Sequence, residues 1–147
     1  MEGVSLIPYK VVKPGDFSYV TVTSRNGDKI SIALNEDADT YIVSSSYLTF
    51  SIVSAEIVPQ YLFMFLKTSD FDRFARFNSW GSAREVFAFE DLCRFEIPVP
   101  SKDIQQDIVN IFNAYGTRKQ LNEQLSSLQK NICPILIKGA IEEGGQQ

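Results

Sequence analysis

Arg73, Arg76 and Arg84 punctuate the run R-F-A-R-F-N-S-W-G-S-A-R, which carries three guanidinium groups, no acid, several aromatic rings and one Gly-Ser turn. A guanidinium is a planar fork of donors that suits phosphate oxygens and the O6/N7 edge of guanine. The same three side chains could equally form a solvated helix face paired to Asp70 and Asp72. Residue types alone leave both possibilities open. Phe71, Phe74 and Phe77 recur every three residues, which on a helix makes an apolar stripe and assigns them to a core rather than to a base-stacking platform. Trp80 is assigned in the same way, as an anchor holding the following loop to the core, and Gly81 as a point where the backbone can be approached closely.

Around this basic island the chain is acidic, with a net charge of -4 over 147 residues. A free-standing, non-specific nucleic-acid binder usually carries a basic surface, so any such contact is expected to be local and assisted by partners. The sequence has no histidine, hence neither the commonest general base nor the commonest metal ligand. It lacks G-x-x-x-x-G-K-[ST] and G-x-G-x-x-G, and Ser44-Ser45-Ser46 has no neighbouring base to activate it. No catalytic residue, metal ligand or cofactor is therefore assigned, and recognition is favoured over catalysis. Cys93 and Cys133 sit far apart, in segments that read as buried or helical, without metal or disulfide spacing. They fit reduced thiols in a cytoplasmic protein, and no apolar run is long enough to suggest a membrane span.

The elements that must position the island follow from periodicity. Short β-rich runs, Phe17 to Thr23, Lys29 to Leu34, Thr40 to Val43 and Leu48 to Ile57, alternate with turn signals, and Asn26-Gly27 marks a hairpin. After Pro59 the period becomes helical, giving helices over about 60–67 and 70–77, with Thr68, Ser69 and Asp70 supplying cap chemistry. Val86 to Phe89 reads as a short strand, Phe89 to Leu92 as a turn, and Arg94 to Pro100 as a final strand closed by two prolines. From Ser101 the pattern is helical, with a stripe of Ile104, Ile108, Ile111, Phe112 and Tyr115, and an expected interruption at Gly116-Thr117. Beyond it Leu121, Leu125, Leu128, Ile132 and Ile135 follow heptad spacing, a seam that favours packing against a second helix. Pro134 should kink or end this run near Cys133. The fold class is α+β: a β-rich domain with short helices over 1–100, then a long coiled-coil-type helical region over 101–147.

In this order, the β-rich half, the Y-L-F-M-F-L helix, the basic aromatic segment with G-S-A-R, I-P-V-P, the helix beginning I-Q-Q-D-I-V and the leucine-spaced helix resemble a target recognition domain of type I restriction-modification specificity subunits. The resemblance covers about Gly15 to Ile137. Tyr61-Leu62-Phe63 matches the family's tyrosine-leucine helix, Gly81-Ser82 its glycine-serine turn, Ile97 to Pro100 its strand before the helix, and Gln105 a frequent glutamine, while Ile104 stands where glutamate is common. Such a domain reads half of a split target in double-stranded DNA, and its helix packs antiparallel against a second one as a spacer between half-sites. Modification and restriction subunits supply the catalysis. The resemblance thus implies a non-catalytic specificity subunit with Arg25, Lys29, Lys67, Arg73, Arg76, Asn78 and Arg84 on or near the DNA face. One recognition domain and one helix, where whole subunits hold two of each, imply a half-subunit or truncated form that pairs through Leu121, Leu125, Leu128, Ile132 and Ile135 with a copy of itself or a second recognition domain. The alternative is an assembly protein that acts through this helix and does not bind DNA.

Overall fold

The computed structural model describes residues 9–23 and 29–144. Its elements are β1 (Lys10–Val12), β2 (Phe17–Val20), β3 (Ile32–Leu34), β4 (Tyr41–Val43), β5 (Tyr47–Phe50), α1 (Pro59–Phe65), α2 (Ser69–Phe77), β6 (Ser79–Trp80), β7 (Val86–Phe87), α3 (Phe89–Leu92) and α4 (Lys102–Gly144). The architecture is α+β, as expected, and it divides into two compact units, Met1–Asp107 and Ile108–Gln147.

In the first unit β2 is the centre of an antiparallel sheet ordered β3-β2-β5, with Tyr19 opposite both Ile32 and Leu48. Being central, it is buried on both faces, and Phe17, Ser18 and Tyr19 are all buried. β1 pairs with β4 and β6 with β7, also antiparallel. The Asn26-Gly27 turn lies outside the described residues, but the runs on either side of it do pair antiparallel. Beyond β2 the chain stays extended and borders β7: Phe87 N–H donates to the Thr21 carbonyl at 2.9 Å and Thr23 N–H to the Glu85 carbonyl at 3.0 Å.

The core joins Phe17, Tyr19, Ile30 and Ile32 of the sheet region to Leu66, Phe71, Ala75, Phe87 and Leu92. Aromatic rings dominate it: Phe17 stacks on Phe50 at 4.9 Å, and Phe71 meets Phe95 edge-on at 5.0 Å. Within it the Tyr19 hydroxyl donates to the Phe87 carbonyl at 3.2 Å. Burial, reinforced by the neighbouring Glu90, Cys93 and Asp91, pushes this phenol from 10.0 up to about 12. A folded-state value above the unfolded one means that the protonated phenol stabilises the fold below pH 10.0 and that this contribution is lost as pH rises towards about 12. Denaturant midpoints should fall across that window, and less steeply in Tyr19→Phe; an equal slope in the two proteins would refute the assignment.

Several expectations for this unit are corrected. Arg94 to Pro100 lies in no strand ladder among the described residues; Phe95 and Ile97 do turn inward in alternation, but Pro98 and Pro100 have no N–H to donate to a neighbour. Phe77 is 78% exposed, because each three-residue step falls about 60° short of a helical turn and two steps carry it off the buried face; Ala75 completes that face instead. Cys93 is exposed at the end of α3, where Leu92 fills the inward position.

The opening of α4 is held by Gln105, whose side chain is completely buried. Its Oε1 accepts from Val58 N–H at 2.9 Å, and its Nε2 donates to the carbonyls of Glu56 at 2.9 Å and Pro100 at 2.8 Å. Ile104, expected on the buried stripe, is half exposed, since the inward position of that turn belongs to Gln105.

The second unit is helical throughout its described residues. The expected interruption at Gly116-Thr117 is absent, because one glycine costs a helix only about 1 kcal/mol. Nor does Pro134 end the run: it lies inside α4, which continues to Gly144. A proline removes one i→i−4 hydrogen bond and crowds the carbonyl four residues back, a cost of about 3 kcal/mol that stays local to one turn. Leu121, Leu125, Leu128, Ile132 and Ile135 are all exposed. Among the described residues no helix is long and apolar enough to cross a membrane.

Candidate nucleic-acid interface

Helix α2 is built to present charge. Thr68 caps its N-terminus, Oγ1 accepting from Phe71 N–H at 3.3 Å, and Asp70 and Asp72 in the first turn complement the helix dipole. Phe71 and Ala75 face the core, which leaves Arg73 and Arg76 facing solvent. Together with Asp72 and the exposed ring of Phe77 these arginines line a shallow depression.

The expected pairing of this face is found in part. Arg73 lies 3.7 Å from Asp70, with both side chains more than four-fifths exposed. Arg76 instead pairs with Glu85, across from α2 on the approach to β7. Asp72 makes a different bond, accepting from Ile30 N–H at 3.0 Å, and so ties α2 to the segment that leads into β3. Solvent-exposed ion pairs contribute only about 0–1 kcal/mol, so Arg73 can exchange Asp70 for another anion at small cost, whereas Arg76 is held more firmly by the half-buried Glu85.

The hairpin β6–β7 continues directly from α2. Asn78 terminates the helix and is only 8% exposed; its Nδ2 donates to the Phe74 carbonyl at 2.8 Å. Ser79 points inward and donates to the Ala75 carbonyl at 2.6 Å. Alternation then turns Trp80 outward, where it is 69% exposed opposite Val86, contrary to the expectation that it anchors the loop. The inward space is already filled by Phe87 against Phe71 and Phe74.

Gly81 follows with φ +145°, and a Cβ there would lie 2.1 Å from the Arg84 carbonyl oxygen. The close approach that glycine permits is therefore made by the chain's own backbone. It fixes Arg84 beside the Trp80 end of the hairpin. Arg84 is exposed, with no ion pair among the described residues.

The remaining cations are placed differently. Lys67 donates from Nζ to the Ile32 carbonyl at 2.6 Å and lies 5.0 Å from the centre of the Phe63 ring, and burial lowers its pKa. That ammonium links the end of α1 to β3. Lys29 is exposed just before the buried Ile30, and Arg25 lies outside the described residues. The structure thus places Arg73 and Arg76 on one depression of α2, and Arg84 in the turn just before the Glu85 that pairs with Arg76. Asn78 and Lys67 are engaged by the fold.

Sequence reasoning missed Glu85 and the outward face of Trp80. The first has no local signal, because Arg76 and Glu85 meet only when the hairpin folds back on α2. The second carries a partial signal, since alternation in Ser79-Trp80 and Val86-Phe87 around a Gly-Ser turn sets Trp80 and Val86 on one face, but which face α2 covers is decided by packing.

Two comparisons bear on these elements. Residues 17–128 match the family described as type I restriction modification DNA specificity domain. The type I restriction enzyme HindI specificity subunit of Haemophilus influenzae is 24% identical over 132 residues, an alignment covering 88% of this chain and 28% of that subunit. The chain therefore spans little more than a quarter of the curated relative it matches. The family match begins at β2, takes in the capped helix and the Gly81 hairpin, and runs into the leucine-spaced part of α4, so that the chain belongs to the type I restriction modification DNA specificity domain family.

Proposed function

We propose that this chain is the DNA sequence-reading component, as a specificity subunit or half-subunit, of a type I restriction-modification system. The observation that carries this reading is the exposed arginine set on α2 and the Gly81 hairpin, which lies inside the segment matched to the family. Arg84, fixed by the turn and without an ion-pair partner among the described residues, is assigned to a base edge. Arg73 and Arg76 engage phosphate or base edges by exchanging their carboxylate partners, Asp70 and the half-buried Glu85, while Lys29 contacts phosphate and Arg25 is a candidate for a base edge. Lys67 and Asn78 act from behind this surface, one bracing β3 and the other ending α2.

In this proposal residues 1–100 form the recognition domain and 101–147 the spacer and pairing helix. The exposed seam of Leu121, Leu125, Leu128, Ile132 and Ile135 supports self-association or pairing with a second recognition domain. The chain binds double-stranded DNA in the cytoplasm without a cofactor, and modification and restriction subunits supply catalysis.

Selection from a randomised duplex pool, with the modification subunits present, should enrich one sequence. Arg84→Ala should then cost about 1–3 kcal/mol and relax one position of it. Failure to enrich any sequence would refute DNA reading and leave the exposed helix seam, and hence an assembly role, as the better account.

A further inference from the structure

The outer face of the β6–β7 hairpin has no role in the core. Trp80 and Val86 stand opposite each other in the ladder, 69% and 40% exposed, and Val22 borders Val86 through an isolated bridge. These three residues form an apolar row on the outer face. Removing so large an aromatic surface from water is favourable, so a tryptophan in this position with no ring contact among the described residues invites an occupant.

The nature of that occupant is constrained by what borders the row. At the hairpin end the Gly81 turn holds the backbone of Arg84 against it, and that guanidinium has no ion pair among the described residues. An apolar plane joined to an uncommitted cation, on a hairpin bordered along β7 by the Thr21–Thr23 segment, suits the major groove, which displays thymine methyl groups beside anionic phosphates and guanine edges.

We propose that Trp80 is a specificity-determining residue that packs its indole against the 5-methyl group of a thymine in the target, with Arg84 contacting the edge of the adjacent base pair. The inference rests on the DNA-reading function above and adds to it a base, a groove and an apolar mode of contact. Trp80 contributes discrimination between thymine and cytosine at its position, which arginines alone do not provide.

The test uses the full chain with its modification subunits and the selected duplex, in which each thymine is replaced in turn by deoxyuridine so that only a methyl group is lost. One replacement should weaken binding by the native chain about fourfold, the value of one buried methyl group, and Trp80→Ala should be indifferent to that same replacement. Because Trp80 is the chain's single tryptophan, its emission provides a second readout in the unmutated protein: DNA should quench it and shield it from iodide. Trp80→Phe, which keeps an apolar ring, should retain part of the methyl discrimination.

Equal sensitivity to deoxyuridine in the native chain and Trp80→Ala would overturn the proposal while leaving DNA reading intact, as would indifference of the native chain to every replacement. A shift in emission on adding the modification subunits without DNA would also overturn it, by identifying a protein as the occupant. If the native complex selects no sequence at all, the underlying function fails and the inference falls with it.

Discussion

Gln105→Leu is expected to lower the unfolding free energy of the first unit by about 3–5 kcal/mol, although it replaces a polar side chain by an apolar one of similar size. The native amide satisfies the Val58 N–H and the carbonyls of Glu56 and Pro100 simultaneously, with no access to solvent. Leucine would leave all three backbone groups without their partner; a buried orphan costs about 1–3 kcal/mol, and because Glu56 is exposed and Val58 and Pro100 half-buried each counts towards the low end. The substitution gains some apolar burial, which is why the sum is placed below the upper limit. Denaturant unfolding followed by circular dichroism measures it. A loss smaller than about 1 kcal/mol, less than one orphaned group, would mean that water replaces the amide without opening the 56–58 segment.

Gly81→Ala should have its main effect on recognition. The added Cβ would meet the Arg84 carbonyl oxygen at 2.1 Å and its carbon at 3.0 Å, both backbone atoms that cannot rotate aside. The φ of +145° is itself outside the range L side chains favour, a strain of about 1–3 kcal/mol. Yet Ser79 and Phe87, opposite each other at the buried end of the hairpin, remain anchored in the core. The substitution should therefore lower the thermal midpoint modestly while displacing Arg84. Preference for the selected duplex over random DNA should fall about tenfold or more, the loss of one base-reading arginine, whereas salt-sensitive binding to random DNA persists. Unchanged discrimination would separate the turn geometry from target reading.

What the sequence made legible is mostly what local chemistry decides. α1 and α2 begin within a residue or two of their expected positions, because Pro59 and Thr68 act on their own first turns. The sheet was readable as a set of runs but not in its limits, since β2 pairs with both β3 and β5 and its continuation at Thr21–Thr23 pairs near β7, more than 60 residues away in sequence. The alternation of Arg94 to Pro100 was real, but a strand also needs a neighbour. The arginines were legible as a group and Trp80's direction was not, because it depends on which side of the hairpin α2 covers. Gln105 was legible only as a family resemblance: its partners are backbone groups of a loop and of Pro100, which no side-chain pattern reveals.

The construction of the β6–β7 hairpin also bears on how such a domain changes over generations. Its inward residues, Ser79 and Phe87, are buried, while positions 81–84 are all exposed. Apart from Gly81, whose backbone geometry is fixed, Ser82, Ala83 and Arg84 can be exchanged with little penalty to folding. In the proposed reading, stability and target choice are therefore borne by different residues of one short hairpin, and drift at three adjacent codons would redirect the protein to a new sequence without passing through an unfolded intermediate variant.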